Sequence, residues 1–141
     1  MHLKTTNEFI WNFAQMQGYL NTVDKITSKP LVNLERDVMY ALARTGKKLR
    51  PEIEVLQELQ EKRVKDLEPL SISCKGELVS KDEHEAEFKA YIKKFDEDWK
   101  VILKKEIEVE VHALKLADIP KSVNFPEMFW RVLSEMVEEE T

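Results

Sequence analysis

Apolar side chains recur at Leu31, Leu34, Val38, Leu42, Leu49, Ile53, Leu56 and Leu59, with gaps of three, four and seven. That spacing sets them on one stripe of a helix. A stripe so long cannot bury itself, so other segments must cover it. Pro51 interrupts the stretch. In a helix it has no amide hydrogen to donate, its ring meets the carbonyl of Lys47, and it pushes Arg50 away from helical backbone. The charges agree with a boundary there. Arg44, Lys47 and Lys48 suit a helix C-terminus, and Glu52 and Glu54 suit an N-terminus. The expectation is two helices over about 31–48 and 51–67, or one sharply kinked helix: a kinked or broken helical hairpin that Glu68-Pro69 ends.

Upstream, Thr5-Thr6-Asn7-Glu8 reads as a capping box. It predicts a helix over about 5–20 with the stripe Phe9, Ile10, Phe13, Met16 and Leu20, weakened near its end by Gly18. Residues 21–30 are polar and predict a loop or a frayed helix end. Residues 70–80 alternate, and Ile72, Cys74 and Leu78 fit a small hairpin around Lys75-Gly76. Ser80-Lys81-Asp82-Glu83 is a second capping box, opening a helix over about 81–104. Its stripe is Phe88, Tyr91, Ile92, Phe95, Trp99, Ile102 and Leu103. The aromatics on it mark it as a core element.

The period then falls to two. Ile107, Val109, Val111 and Ala113 alternate with Glu106, Glu108, Glu110 and His112, which predicts a strand over about 106–113 with one wet face. The phase shifts at Leu114 and Leu116, as at a bulge or a strand end. The strand needs a partner, either the 70–80 hairpin or its own copy in a second chain. Asn124-Phe125-Pro126-Glu127 opens a last helix over about 125–138. Its stripe is Phe125, Met128, Phe129, Val132, Leu133, Met136 and Val137, and residues 138–141 form an acidic tail that frays. The pattern predicts a single α+β domain, mostly helical. Four or five helices surround Leu42, Leu56, Phe95 and Trp99, beside a small antiparallel sheet.

Composition narrows the function classes. The chain has 141 residues, enough for one ordinary domain, and 43% of them are hydrophobic, so a packed core is expected. The net charge of -5 argues against a general nucleic-acid binder. Cys74 is the single cysteine, which excludes an intrachain disulfide and fits a reducing cytoplasm. No apolar run nears the roughly 20 residues of a membrane span, and residues 1–4 lack a signal peptide's apolar stretch. A soluble, cytoplasmic protein is expected.

Candidate chemistry is sparse. Arg44, Lys47, Lys48 and Arg50 put four cations within seven residues, able to hold a phosphate or an acidic partner at a helix–helix corner. The plainer reading is a solvated turn that complements helix dipoles. His84 and His112 each stand among glutamates, but neither has the further ligands a metal site needs, and HExxH is absent. Cys74 has no nearby base to activate it. No Gly-rich phosphate loop or GxSxG elbow occurs. No catalytic residue, metal site or cofactor is therefore assigned. Trp11 falls nearly opposite Phe9, Phe13 and Leu20, and Trp130 flanks the last helix's stripe. Aromatics off the core stripe are candidates for partner contact.

Val38-Met39-Tyr40-Ala41-Leu42-Ala43-Arg44, then Leu49-Arg50-Pro51-Glu52-Ile53-Glu54, then Gln57-Glu58 and Glu61-Lys62-Arg63 resemble an uncharacterised family of small proteins from tailed phages and prophages. The helix at 88–103 followed by Glu106-Ile107-Glu108-Val109-Glu110-Val111 is similar to that family's ending. The resemblance covers about 30–120 and departs at Thr45-Gly46. It implies phage origin and action in an infected bacterium's cytoplasm, and it brings no catalytic residues. The expectation is a non-enzymatic protein-interaction protein, a virion-assembly accessory or an inhibitor of a host factor, and a homo-oligomer. The alternatives are an oligomeric sponge for an anionic nucleotide at Arg44, Lys47, Lys48 and Arg50, or an enzyme using carboxylates with His84 or His112.

Overall fold

Residues His2–Thr6 form strand β1 and Asn7–Leu20 form helix α1. Arg36–Leu67 is helix α2, Ser71–Cys74 and Glu77–Ser80 are strands β2 and β3, and Glu85–Lys104 is helix α3. Strand β4 is Glu106–Glu110 and helix α4 is Glu127–Met136. The computed structural model describes residues 1–21, 34–74, 77–115, 117 and 126–137. The class is α+β and mostly helical, as the periodicity predicts. The turn residues Lys75 and Gly76, the side chain of Cys74, Phe125 and the acidic tail lie outside the described residues, as does most of the polar 21–30 segment.

The chain divides into two compact units, Met1–Ile53 with Glu106–Thr141, and Glu54–Lys105. The boundary falls inside α2. Of the four residues expected at the centre, Leu42 belongs to the first unit and Leu56, Phe95 and Trp99 to the second. Leu42 and Leu56 are buried, whereas Phe95 and Trp99 are only half-buried.

In the first unit, β1 pairs antiparallel with β4, setting Leu3 opposite Val109, Lys4 opposite Glu108 and Thr5 opposite Ile107. This corrects two expectations. Residues 2–6 are strand rather than the start of a helix, and β4's partner is neither the hairpin nor a second chain. Thr6 rather than Thr5 precedes α1, with no side-chain cap, so the capping-box reading fails there. The paired strand holds that stretch extended. The strict alternation of residues 106–113 stops at Glu110 as a strand. Beyond it, Leu114 donates its amide to the Met136 carbonyl at 2.9 Å, satisfying a group that the end of α4 leaves open.

Helix α1 buries Phe9, Ile10, Phe13, Met16 and Leu20, the stripe read from spacing, and packs on α4. Helix α4 contributes Phe129, Val132, Leu133 and Met136, and Tyr19 meets Phe129 at 5.4 Å between ring centroids. Met128, expected on the stripe, is exposed.

Helix α2 supplies Val38, Ala41, Leu42, Leu49 and Ile53 to this unit. The gap of one heptad between Leu42 and Leu49 is filled by Thr45, which is fully buried. Its hydroxyl accepts the backbone N–H of His112 at 2.9 Å. Thr45→Val keeps the shape but leaves that amide unsatisfied. It is expected to cost about 1–3 kcal/mol in denaturant unfolding, with Thr45→Ser retaining most of the stability.

Helix α2 runs unbroken through Pro51. Of the two expectations, separate helices over 31–48 and 51–67 are not formed. In the second unit, β2 pairs antiparallel with β3, placing Ile72 opposite Val79, as the alternation of 70–80 predicts. Ser80 closes β3 instead of capping a helix, and a short 3-10 turn at Asp82–His84 precedes α3. Ser71 is buried and donates its hydroxyl to the Leu67 carbonyl at 2.6 Å.

Candidate functional site

Within the second unit, Tyr91 donates its hydroxyl to Asp66 Oδ2 at 2.8 Å, and the guanidinium of Arg63 lies 5.6 Å from the centre of the Phe95 ring. Residue numbers fall on α2 as they rise on α3, so these two stretches run antiparallel. Between them lies a cleft of about 360 Å³, lined by Leu59, Lys62, Asp66, Tyr91, Lys94, Phe95, Asp98, Trp99 and Ile102.

Its wall is a row of three aromatics at spacings of four along α3. Tyr91 and Phe95 stand 6.3 Å apart with planes 18° from parallel, and Phe95 and Trp99 stand 6.1 Å apart at 14°. All three are half-buried, and Phe88 is the one buried residue identified on α3. Sequence spacing assigned this stripe to a core. The stripe is wide, and one helix and a hairpin cover only part of it. A half-solvated aromatic row with a few polar groups at its rim is the usual make-up of a binding groove.

Burial first, then the hydrogen bond to Asp66 and its charge, push the Tyr91 phenol up to about 12, against the lowering effect of Arg63. The ordinary phenol titrates at 10.0, so the folded protein holds this proton more tightly than the unfolded chain does. The associated stability is present in full below the unfolded value and is lost as pH rises through the folded one. Tyrosinate absorbance is expected to show one late step near pH 12, abolished in Tyr91→Phe.

The residues singled out by sequence lie elsewhere. Trp11 and Trp130 are half-buried in the first unit, on α1 and α4, and both already make contacts within the chain. Arg44, Lys47, Lys48 and Arg50 are exposed on a continuous helix. Arg44 lies 5.9 Å from the centre of the Tyr40 ring and Lys48 pairs with Glu110 at 3.5 Å. At about 100° per residue, Arg50 points roughly 120° away from Arg44, so the four do not converge.

His84 Nδ1 stands 3.9 Å from Glu87, and His112 packs edge-on against Tyr40 at 5.6 Å. Among the described residues no group of three or more His, Cys, Asp and Glu side chains is placed to hold a metal ion, and no helix is long and apolar enough to cross a membrane. A smaller cleft of about 150 Å³ in the first unit holds Glu8, Arg131 and Glu135. Burial and the neighbouring Glu8 charge raise the Glu135 carboxyl, against a hydrogen bond donated by Thr5.

Comparison with protein-family models, with curated proteins and with solved structures gave no match. The resemblance to phage proteins therefore draws no support from them, and the groove must be interpreted from its own chemistry.

Proposed function

We propose that this chain is a non-enzymatic protein-interaction protein that receives a segment of a partner in the groove between α2 and α3. The observation that carries the reading is the stacked, half-buried row Tyr91, Phe95 and Trp99, beside which the cleft runs. Aromatic side chains dominate the energetics of protein interfaces because they offer large contact area with few rotatable bonds. Phage origin, with action in the host cytoplasm as a virion-assembly accessory or an inhibitor of a host factor, belongs to the same proposal and rests on the resemblance in residues 38–63. So does homo-oligomerisation.

Site-specific photo-crosslinking tests the reading. A photoreactive residue replacing Lys94, on the groove, is expected to give discrete protein adducts in bacterial cells. One replacing Lys89, which pairs with Glu85 at 2.7 Å away from the cleft, is not. Phe95→Ser with Trp99→Ser is expected to remove the Lys94 adducts while circular dichroism stays that of a folded chain. Equal adducts from both positions, or none from Lys94, would remove the proposal.

A further inference from the structure

The groove carries a charge order as well as an apolar wall. Because α2 and α3 run antiparallel, Asp66 stands at the level of Tyr91. Lys62 lies one turn before Asp66 on α2, and Lys94 one turn beyond Tyr91 on α3, so the two lysines flank the middle of the cleft from opposite sides. Asp98 follows one turn further on. The lining therefore reads acidic, basic, basic, acidic along its length, with the aromatic row beside it. Among the described residues, no ion-pair partner within 4.0 Å is found for Lys62, Lys94 or Asp98. From Tyr91 to Asp98 is about 10 Å at 1.5 Å per residue, two turns of any helix lying alongside.

We infer that the occupant is an amphipathic helix of a partner protein with carboxylates at its middle and a cation on either side of them. The inference rests on the docking reading above. A helix in this groove sets an apolar row on Phe95 and Trp99. It places a cation at position i facing Asp66, carboxylates at i+3 and i+4 between Lys62 and Lys94, and a cation at i+7 facing Asp98. The cleft is partly open, whereas ligand pockets enclose most of a small molecule's surface. A phosphate chain would bring negative charge to Asp66 and Asp98 at both ends.

Two labelled synthetic helices with the same leucine stripe make the test. One carries Lys, Glu-Glu and Lys at i, i+3/i+4 and i+7; the other carries Glu, Lys-Lys and Glu. Fluorescence anisotropy against the full chain is expected to show the first binding about tenfold tighter at low salt, the effect of a few exposed charge pairs acting together, with the gap narrowing as salt is added. Lys62→Glu with Lys94→Glu, both exposed and outside the packed core, is expected to reverse the preference. Equal affinity for both peptides would overturn the charge inference and leave groove docking standing. Binding of neither would overturn both. A dimer of the chain that Trp99→Ser dissociates in sedimentation would show a second copy as occupant and overturn the partner helix. Saturation of the groove by indole-3-acetate as tightly as by peptide would do the same.

Discussion

Phe13→Ala is expected to lower the unfolding free energy of the first unit by about 3–5 kcal/mol, the usual cost of emptying a buried phenylalanine site. Phe13 is 0% exposed and its ring centroid lies 6.3 Å from that of Phe9 on the same helix face. Helix α1 packs on α4, and Ile10, Met16, Leu133 and Met136 of these two helices are themselves fully buried. Close-packed interiors relax only partly into a void, so most of the lost contacts are not recovered. Domains are stable by only about 5–15 kcal/mol, so this one change should consume much of the margin. Denaturant titration, read with hydrogen exchange in α1 and α4, gives the measurement. Trp99→Ala removes a larger side chain yet is expected to cost less than about 2 kcal/mol, since part of the ring already faces water. Equal costs at Phe13 and Trp99 would contradict the distinction between a packed cluster and an exposed aromatic row.

That distinction marks where periodicity informs and where it stops. Spacing identifies which residues of a helix share a face, and the buried set Phe9, Ile10, Phe13, Met16 and Leu20 on α1 was legible for that reason. So were α4 and the β2–β3 pairing. Spacing does not say how many neighbours cover a face. The stripe on α3 has the same period as that on α1, but Tyr91, Phe95 and Trp99 remain half solvated. The groove was visible in the sequence as residues and invisible as a site. Strand β1 is not legible in the sequence because five residues hold too few alternations to stand out, and Thr5 and Glu8 mimic a capping box. Only the pairing with β4 decides that stretch. Thr45 shows the same limit. It occupies the gap in an otherwise apolar stripe, and nothing in the spacing singles it out as buried; its polar partner, the His112 amide, comes from a segment 67 residues away.

Local charge was the least dependable signal. Arg44, Lys47, Lys48, Glu52 and Glu54 suggested a helix end next to a helix start, with a cationic corner between them. Those charges also suit the exposed sides of one uninterrupted helix, where Lys48 reaches Glu110 and Arg44 lies on Tyr40. Dipole preferences are worth only about 0.3–1 kcal/mol each. Burial of Leu49 and Ile53 on either side of Pro51 is worth roughly 1.5–3 kcal/mol per side chain. Packing therefore decides the continuity of α2.

Pro51→Ala is expected to stabilise the chain by about 2 kcal/mol. Proline inside a helix is less favourable than alanine by about 3 kcal/mol, because position 51 donates no hydrogen bond to Lys47 and its ring crowds that carbonyl. Alanine also loosens the unfolded chain, which returns about 0.4–1 kcal/mol of the gain. Pro51 is exposed, so no packing is lost with its ring. Denaturant unfolding of the full chain should show the midpoint move upward with little change in slope. The groove is lined entirely by residues from Leu59 to Ile102, so the charge-matched peptide should bind Pro51→Ala as it binds the parent chain. A lowered midpoint would mean that the helix around Lys47 depends on proline's fixed backbone angle more than it suffers from the missing hydrogen bond.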